Sequence, residues 1–327
     1  MEKKEFDLNK AYEYYLEEQN KTEAVRRLCA DLGIEYSEKY RNRLQRAINS
    51  GKLGGEQEEE VKDVSPAKIL IFDIETAPLL ANVWSVWGAN VGYNLDMLHS
   101  DWFMLTWSAK WLGEDKVYSA KITPEEVLKE DDERIVKSLW NLVDEADIIV
   151  AHNAIKFDVK RMNTRFLYHG LPKPSPYKVI DTLRTARDNF NISSNKLDYL
   201  GEFLKVGKKM DTGGFKLWQG SLRGDVESID KMSLYNDQDV LLLEKVYYKM
   251  LPWIKMPANI NLFNVLNNDK QRCGKCGSDD LVWGKTAPYY TNVNVYETCR
   301  CGKCGTLNRS RKTATTKDVR DKLVIAI

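Results

Sequence analysis

The stretch that most constrains the fold is residues 68–76, an apolar run that ends in two acids. Residues 69–72 are Ile, Leu, Ile and Phe, and this run predicts a buried β-strand. Asp73 and Glu75 are two residues apart, so on a strand their side chains point to the same face. Adjacent carboxylates at the end of an apolar strand repel each other and are costly to desolvate. The stretch therefore indicates either a cation-binding edge or a strand that runs into a solvated acidic turn.

The composition is that of an ordinary globular protein. The chain has 327 residues, 43% hydrophobic and 30% charged, which predicts two domains or one domain with appendages. It contains no apolar run approaching about 18 residues and no signal-peptide pattern. We therefore expect neither a membrane span nor secretion, and predict a cytoplasmic protein of a bacterium or, if phage-encoded, of its host.

The net charge of +1 conceals a basic end. Residues 252–327 carry 13 Lys or Arg against 6 Asp or Glu. A basic segment of this kind indicates either a polyanionic partner or a tail that only aids solubility.

The chain divides into segments by pattern. Residues 1–50 predict three short helices with a basic third helix, which is typical of a helix-turn-helix module but also of any three-helix bundle. Residues 51–66 are Gly-rich and then acidic, and predict a linker. Residues 67–253 alternate strand and helix patterns, which predicts an α/β domain.

Two further acids are notable for their positions. Asp158 lies in the first turn of a helix that follows the apolar strand at 146–151, where the helix dipole alone can explain a carboxylate. Asp239 lies on the apolar stripe of the last long helix, one turn before Leu243 and one turn after Tyr235. A buried, unpaired carboxylate costs several kcal/mol, so something should compensate Asp239. Asp237, two residues earlier, is predicted to lie on the opposite, exposed side.

If the four acids converge, their oxygens form a site suited to Mg²⁺ or Mn²⁺. Two such ions about 4 Å apart activate a water and stabilise the leaving oxygen in phosphodiester hydrolysis. Tyr235 is then placed to orient the attacking water.

Three motifs built on these residues resemble those of the DEDD (DnaQ-like) 3′–5′ exonucleases. They are Asp73-Ile-Glu75, the segment from Asn153 to Asp158, and the segment from Tyr235 to Asp239, and they occur in the family's order. The resemblance implies an RNase H-like fold for residues 67–253, with a mixed central sheet flanked by helices. It also implies that Asp73, Glu75, Asp158 and Asp239 hold two Mg²⁺ or Mn²⁺ ions, and that Glu75 shares the positioning of the water with Tyr235.

The residues before Asp239 resemble one branch of this family. One branch has His five residues before the last Asp, where this chain has Leu234, and no His follows His169. The other branch has Tyr four residues before, where this chain has Tyr235. The chain is thus similar to the tyrosine branch, including the proofreading domains of family B DNA polymerases and stand-alone phage exonucleases.

The resemblance also suggests which residues face the substrate. Asn153, Phe157, Asn195 and Lys196 look like substrate-binding positions, with ordinary turn and core roles as the alternative. The Trp and Tyr residues between 84 and 111 are predicted mostly to pack the core, with one or two left to stack on single-stranded bases.

The C-terminal part of the chain contains two Cys-Gly-Lys-Cys-Gly motifs, one at Cys273/Cys276 and one at Cys301/Cys304. The 24 residues between Cys276 and Cys301 include strand-like runs at 281–283 and 291–296. This pattern is typical of a zinc ribbon, here residues 254–312, with four thiolates around one structural Zn²⁺. Cys299 is an alternative to Cys301, although the motif favours Cys301. Residues 313–327 then form a basic tail.

These observations predict a metal-dependent 3′–5′ exonuclease that acts on DNA ends and serves replication or repair. Its expected partner is DNA with single-stranded or frayed 3′ ends, and a DNA polymerase or replication protein would be a separate chain. Two alternatives stay open. One is a non-catalytic nucleic-acid-binding or regulatory protein, and the other is a ribonuclease or endonuclease on the same fold.

Overall fold

The computed structural model describes residues 6–49, 53, 67–85, 95–267 and 270–325. Apart from Leu53, the predicted linker at 51–66 lies outside these residues, as do residues 86–94 of the aromatic stretch. The chain forms two compact units, Met1–Asp63 and Val64–Ile327. None of the helices in the described ranges is long and apolar enough to cross a bilayer.

The first unit contains the three predicted helices, α1 (Leu8–Glu18), α2 (Lys21–Leu32) and α3 (Glu38–Asn49). Asp7 and Asn20 cap α1 and α2 by accepting bonds from the first-turn N–H groups. Leu28, Cys29 and Leu44 are buried in a shared apolar core. DNA contact by this unit stays a prediction.

The second unit is built on a five-stranded mixed sheet. Its strands are β1 (Ile69–Thr76), β4 (Met104–Trp111), β5 (Val117–Lys121), β6 (Ile148–Ala151) and β7 (Lys178–Asp181), arranged in the order β5-β4-β1-β6-β7. β1 is antiparallel to β4 and parallel to β6. The short strands β2 (Leu80–Ala81) and β3 (Leu98–Ser100) pair separately. The predicted α/β architecture with a mixed central sheet flanked by helices is confirmed.

Alternate residues of β1 enter different cores. Leu70, Phe72 and Ile74 pack in a cluster with α5 (Glu133–Glu145) and α6 (Asp158–Tyr168). Ile69 and Ile71 pack on the other face with α8 (Leu197–Phe203) and α10 (Val226–Met250). Because strand side chains alternate, Asp73 and Glu75 continue the row of Ile69 and Ile71. The two acids of β1 therefore lie on the face that α10 covers.

Several short helices were not expected from the sequence. They are α4 (Pro124–Lys129), α7 (Thr182–Asn189), α8 and α9 (Lys216–Leu222). Helices of six to eight residues are marginal in isolation and depend on packing, so their periodicity is too short to recognise. The local signals for α4 were a capping box between Thr123 and Glu126 and the proline at its first position, Pro124.

The prediction that Asp237 is exposed is wrong. Its Oδ1 accepts a 2.6 Å hydrogen bond from the hydroxyl of Ser108 on β4, and the side chain is half-buried. The reason is that α10 lies across the sheet over β4 as well as β1, so the helix buries a wider arc than its apolar stripe suggests.

The cysteine-rich segment packs against the end of α10. It contains β8 (Leu281–Trp283), β9 (Tyr289–Tyr290), β10 (Val295–Tyr296), β11 (Thr298–Cys301) and β12 (Leu307–Arg309), with β11 between β12 and β8. The strand-like run at 291–296 is strand only at its end, because the chain turns between β9 and β10. The ammonium of Lys275 donates to the carbonyls of Leu251 and Pro252, just beyond α10. The short helix α11 (Lys317–Arg320) lies in the predicted basic tail.

Candidate functional site

Three of the predicted acids converge where β1 meets α10. Carboxylate oxygens of Asp73, Glu75 and Asp239 all lie within 4.8 Å of one another. Asp73 and Glu75 come from the end of β1 that extends beyond its pairing with β6, and Asp239 is fully buried on the facing side of α10. Asp239 therefore occupies the buried helix face that its periodicity predicted.

Asp158 borders this group without belonging to its tightest part. It begins α6, the helix after β6, and β6 runs parallel to β1, so the carboxyl ends of both strands lie at the same edge of the sheet. The side chain is 1% exposed, and its Oδ2 has no hydrogen-bond partner among the described residues. Asp239 Oδ1 is also buried and likewise has no hydrogen-bond partner among the described residues.

These unsatisfied oxygens test whether the site suits a metal ion. Buried acceptors without donors are costly, and clustered carboxylates supply the hard ligands that Mg²⁺ and Mn²⁺ prefer. The donor set therefore fits divalent cations, which Asp73, Glu75, Asp158 and Asp239 would hold.

The electrostatics of the acids point the same way. Burial, together with the charge of Asp239, raises the pKa of Asp73 to about 7. Burial and the charge of Asp73 likewise raise the pKa values of Glu75 and Asp158. Burial also raises the pKa of Asp239, although Lys209 opposes this shift. Four carboxylates with raised pKa values repel one another when ionised, and a bound cation would relieve that repulsion.

Two residues of the site were missed by sequence reasoning. The ammonium of Lys209 contacts Asp239 and donates a 2.8 Å hydrogen bond to the hydroxyl of Tyr235. Burial alone would lower the pKa of Lys209, but Asp239, Asp73 and Tyr235 together raise it. Asn236 Nδ2 donates a 2.8 Å hydrogen bond to Asp73 Oδ2. Lys209 lies in an irregular loop, so no periodicity could reveal it, whereas Asn236 was visible as a neighbour of Tyr235.

Three of the predicted substrate-side residues line one cavity beside the acids. The cavity has a volume of about 610 Å³, and Asn153, Asn195, Lys196 and Lys209 are among its lining residues. Arg187 also lines it and adds positive charge. Phe157, the fourth predicted residue, is not in this lining and lies against Arg161 instead.

His152 holds the wall of this cavity in place. Its Nδ1 is 2.9 Å from the hydroxyl of Thr182, and its Nε2 is 2.9 Å from the carbonyl oxygen of Asn195. Burial lowers the pKa of His152 to about 4, so the imidazole is neutral at physiological pH. Its role is to position the segment that carries Asn195 and Lys196.

The four predicted zinc ligands also converge. Their sulfur atoms all lie within 4.8 Å of one another, with Cys273 Sγ 3.6 Å from Cys304 Sγ and Cys276 Sγ 3.6 Å from Cys301 Sγ. Four sulfurs at about 2.3 Å from a tetrahedral Zn²⁺ are about 3.8 Å apart, so the spacing fits that ion. Cys299 is buried but does not belong to the group.

Hydrogen bonding prepares one of these sulfurs for a metal. A bond with Cys276, together with donors from the backbone and from Asn308, lowers the pKa of Cys273 to about 4. A thiolate is the form of cysteine that binds metal. The same bond raises the pKa of Cys276, so it is the spacing of the four sulfurs that allows the group to bind a metal ion.

The fold and this geometry agree with comparisons to known proteins. Residues 111–251 match the family model of the RNase H superfamily. This match supports an RNase H superfamily domain that includes residues 111–251. The match includes Asp158, Tyr235 and Asp239, while β1 with Asp73 and Glu75 precedes it. The RNase H superfamily domain and its acidic group together indicate a nuclease.

The chain is also similar to a DNA polymerase III of the PolC type from Ureaplasma parvum. The two are 25% identical over 191 residues, which cover 58% of this chain. The match spans only 13% of that polymerase. The likeness is thus confined to a small part of a much longer protein.

Proposed function

We propose that this chain is a metal-dependent 3′–5′ exonuclease that removes nucleotides from DNA 3′ ends. The observation that carries the proposal is the convergence of Asp73, Glu75 and Asp239, bordered by Asp158, with Tyr235 on the same face of α10. The similarity to a protein named as a DNA polymerase III supports DNA as the polymer. A separate polymerase or replication protein is proposed as a further partner.

The four carboxylates are proposed to hold two Mg²⁺ or Mn²⁺ ions. Such ions, when bound, lower the pKa of a water and stabilise charge on the leaving oxygen. The chain's own contribution is to hold the carboxylates in place, and Asn236 fixes one oxygen of Asp73. Asn153, Asn195, Lys196 and Phe157 are proposed to contact the strand near its 3′ end.

Tyr235 is proposed to orient the attacking water, as in the tyrosine branch. Its hydroxyl oxygen accepts a hydrogen bond from Lys209, and its O–H faces Asp239, so the group lies where a water bound at the acids would be. Leu234, at the position where the other branch has His, is 51% exposed. Tyr235, in contrast, is 8% exposed and lies beside Asp239.

The proposal is tested with DNA and RNA strands labelled at either end, single- or double-stranded, in Mg²⁺ or Mn²⁺. We expect stepwise shortening from the 3′ end of DNA. Internal cuts would indicate an endonuclease, and shortening of RNA alone would indicate a ribonuclease. Binding without hydrolysis in either metal would favour the non-catalytic alternative.

Replacing Tyr235 with Phe removes only the hydroxyl. We expect the rate of hydrolysis to fall about tenfold to a hundredfold, because a positioned proton donor is lost while the ring remains. Titration of the melting temperature with Mn²⁺ should show unchanged metal affinity. If Tyr235→Phe weakened the response to Mn²⁺, the tyrosine would serve the metal site rather than the water.

Replacing Lys209 with Met removes the ammonium but keeps a stem of similar length. We expect a rate reduced about tenfold, because Tyr235 loses the hydrogen bond that orients it. Less Mn²⁺ should be needed for half-maximal stabilisation, since a positive charge next to Asp239 is gone. Lys208→Met is the matched control, because Lys208 is exposed and adjacent. An unchanged rate in Lys209→Met would exclude the positioning role.

The four-cysteine group is proposed to hold one structural Zn²⁺ in a zinc ribbon, with Cys273, Cys276, Cys301 and Cys304 as the ligands. All four positions are taken by sulfur, so the ion would have no open position for catalysis. The basic side chains around it are proposed to contact DNA.

A further inference from the structure

Beside the acidic group, an arginine is held against two aromatic rings. The guanidinium carbon of Arg161 lies 4.5 Å from the ring centre of Trp102 and 4.6 Å from that of Phe157. Its Nη1 donates a 2.8 Å hydrogen bond to the hydroxyl of Thr76, the residue that follows Glu75. Arg161 is thus fixed in orientation on the side of the acids where Phe157 lies.

Arg161 has no carboxylate partner in the part of the chain that the structure describes. The carboxylates whose charges act on the Arg161 guanidinium are those of Asp101 and Asp158, and neither forms an ion pair with it. Arg165, one turn later on α6, makes the contrast clear. It also lies over Trp102, at 5.9 Å, but its guanidinium forms a buried 2.5 Å ion pair with Asp132. Arg165 is therefore structural, whereas Arg161 retains donors for another group.

The position of Arg161 suggests what that group is. Asp158 and Arg161 are three residues apart at the start of α6, so they lie on the same helix face. A guanidinium stacked on rings presents its N–H donors along its edge, and two of them match the oxygens of one phosphate. Partial burial, which lowers the pKa of Arg161, also makes an anionic partner favourable.

We infer that Arg161, held by Trp102, Phe157 and Thr76, binds a backbone phosphate of the substrate strand close to the scissile linkage. The inference rests on the proposed function and names a substrate contact in that site. Arg161 is a positioning residue here, because it holds the strand and does not act on the reacting atoms. The contact also gives Trp102, from the aromatic stretch of the sequence, a role in supporting the arginine.

The test replaces phosphates one at a time by neutral methylphosphonates. Single-stranded DNA carries one such linkage at each of the first few positions from its 3′ end, and binding is followed by fluorescence anisotropy. Ca²⁺ replaces Mg²⁺, and a gel verifies that the strand stays intact. We expect one linkage at which the wild type binds about tenfold more weakly, the loss typical of a charge-assisted hydrogen bond. Arg161→Ala should bind that strand and the unmodified strand equally.

Two variants separate this contact from general effects. Arg161→Lys keeps the charge without the planar edge, and should show a smaller but detectable loss at the same linkage. Lys160→Ala removes an exposed charge on the same helix and should keep the full wild-type pattern. If Arg161→Ala does not fold, Arg161→Lys and the wild-type scan still decide the question.

Two outcomes would overturn the inference. One is a wild type that no single methylphosphonate affects. The other is an Arg161→Ala protein that keeps the wild-type loss at the sensitive linkage. Failure of the wild type to hydrolyse any strand in Mg²⁺ or Mn²⁺ would instead count against the proposed function alone, because binding is measured without hydrolysis.

Discussion

Asp73→Asn and Asp239→Asn should each lower the rate of 3′-end hydrolysis about a thousandfold or more. Metal ions supply several kcal/mol of charge stabilisation, and each 1.4 kcal/mol corresponds to about a tenfold change in rate. Asp73 and Asp239 contribute to the group of oxygens within 4.8 Å, so losing either charge should remove at least one ion. The measurement is single-turnover hydrolysis of end-labelled DNA in Mg²⁺ and Mn²⁺.

Asp73→Asn should raise stability in a chelator. Burial and the neighbouring charge of Asp239 raise the pKa of Asp73 from 3.8 to about 7, so the folded protein binds that proton more tightly than the unfolded chain. Stability is therefore lost as pH rises from about 4 through 7, where the unfolded state releases its proton first. Asp73→Asn removes this loss and should melt at a higher temperature than the wild type at neutral pH in EDTA.

Added Mn²⁺ should reverse the order of the melting temperatures, so that the wild type melts above the Asn variants. A ligand at a hundred times its dissociation constant stabilises the wild type by about 2.7 kcal/mol, and the Asn variants should lack most of this gain. Asp237→Asn is the matched control, since Asp237 is a half-buried acid near Asp239 that lies outside the group and bonds Ser108. A full response to Mn²⁺ in Asp239→Asn, or a response abolished in Asp237→Asn, would contradict the assignment of the ligands.

Cys276→Ser should abolish binding of one zinc ion per chain and lower the melting temperature of the second unit. Zinc binding in small cysteine modules contributes about 10–16 kcal/mol of apparent free energy, which such modules need in order to fold. Cys276 and Cys304 also pack against the core that contains Tyr247 and Leu251 of the α10 end. Zinc content by atomic emission and melting by circular dichroism are the measurements.

Cys299→Ala is the control that distinguishes the two possible ligand sets. Cys299 is buried on β11 but lies outside the four-sulfur group, so this variant should keep one zinc ion. Loss of zinc from Cys299→Ala, with zinc retained by Cys301→Ala, would show that Cys299 is the fourth ligand. A wild type without zinc would refute the ribbon assignment itself.

Local patterns were sufficient where the chain itself sets the geometry. The two-residue period of a strand placed Asp73 and Glu75 on one face, and the helical period placed Asp239 with Tyr235 on the buried side of α10. The paired Cys-x-x-Cys motifs likewise predicted a four-cysteine group, and its sulfur atoms converge in the structure. These predictions succeeded because each depended on neighbours within one element or on a repeated motif.

Other features depended on segments far apart in sequence. Lys209 reaches Asp239 and Tyr235 from an irregular loop, and no period marks such a contact. The exposure of Asp237 was predicted wrongly because α10 packs over β4 and β5 as well as β1, and the sequence of the helix alone does not show this packing.

By itself, the sequence determined which residues could form the acidic and cysteine groups, because strand and helix periods decide which side chains share a face. Only the tertiary structure decided what completes them, since contacts between distant segments depend on how the elements pack. That packing brings Lys209 onto the acids, leaves Asp158 at their border, and separates Arg161 from the ion pair of its neighbour Arg165.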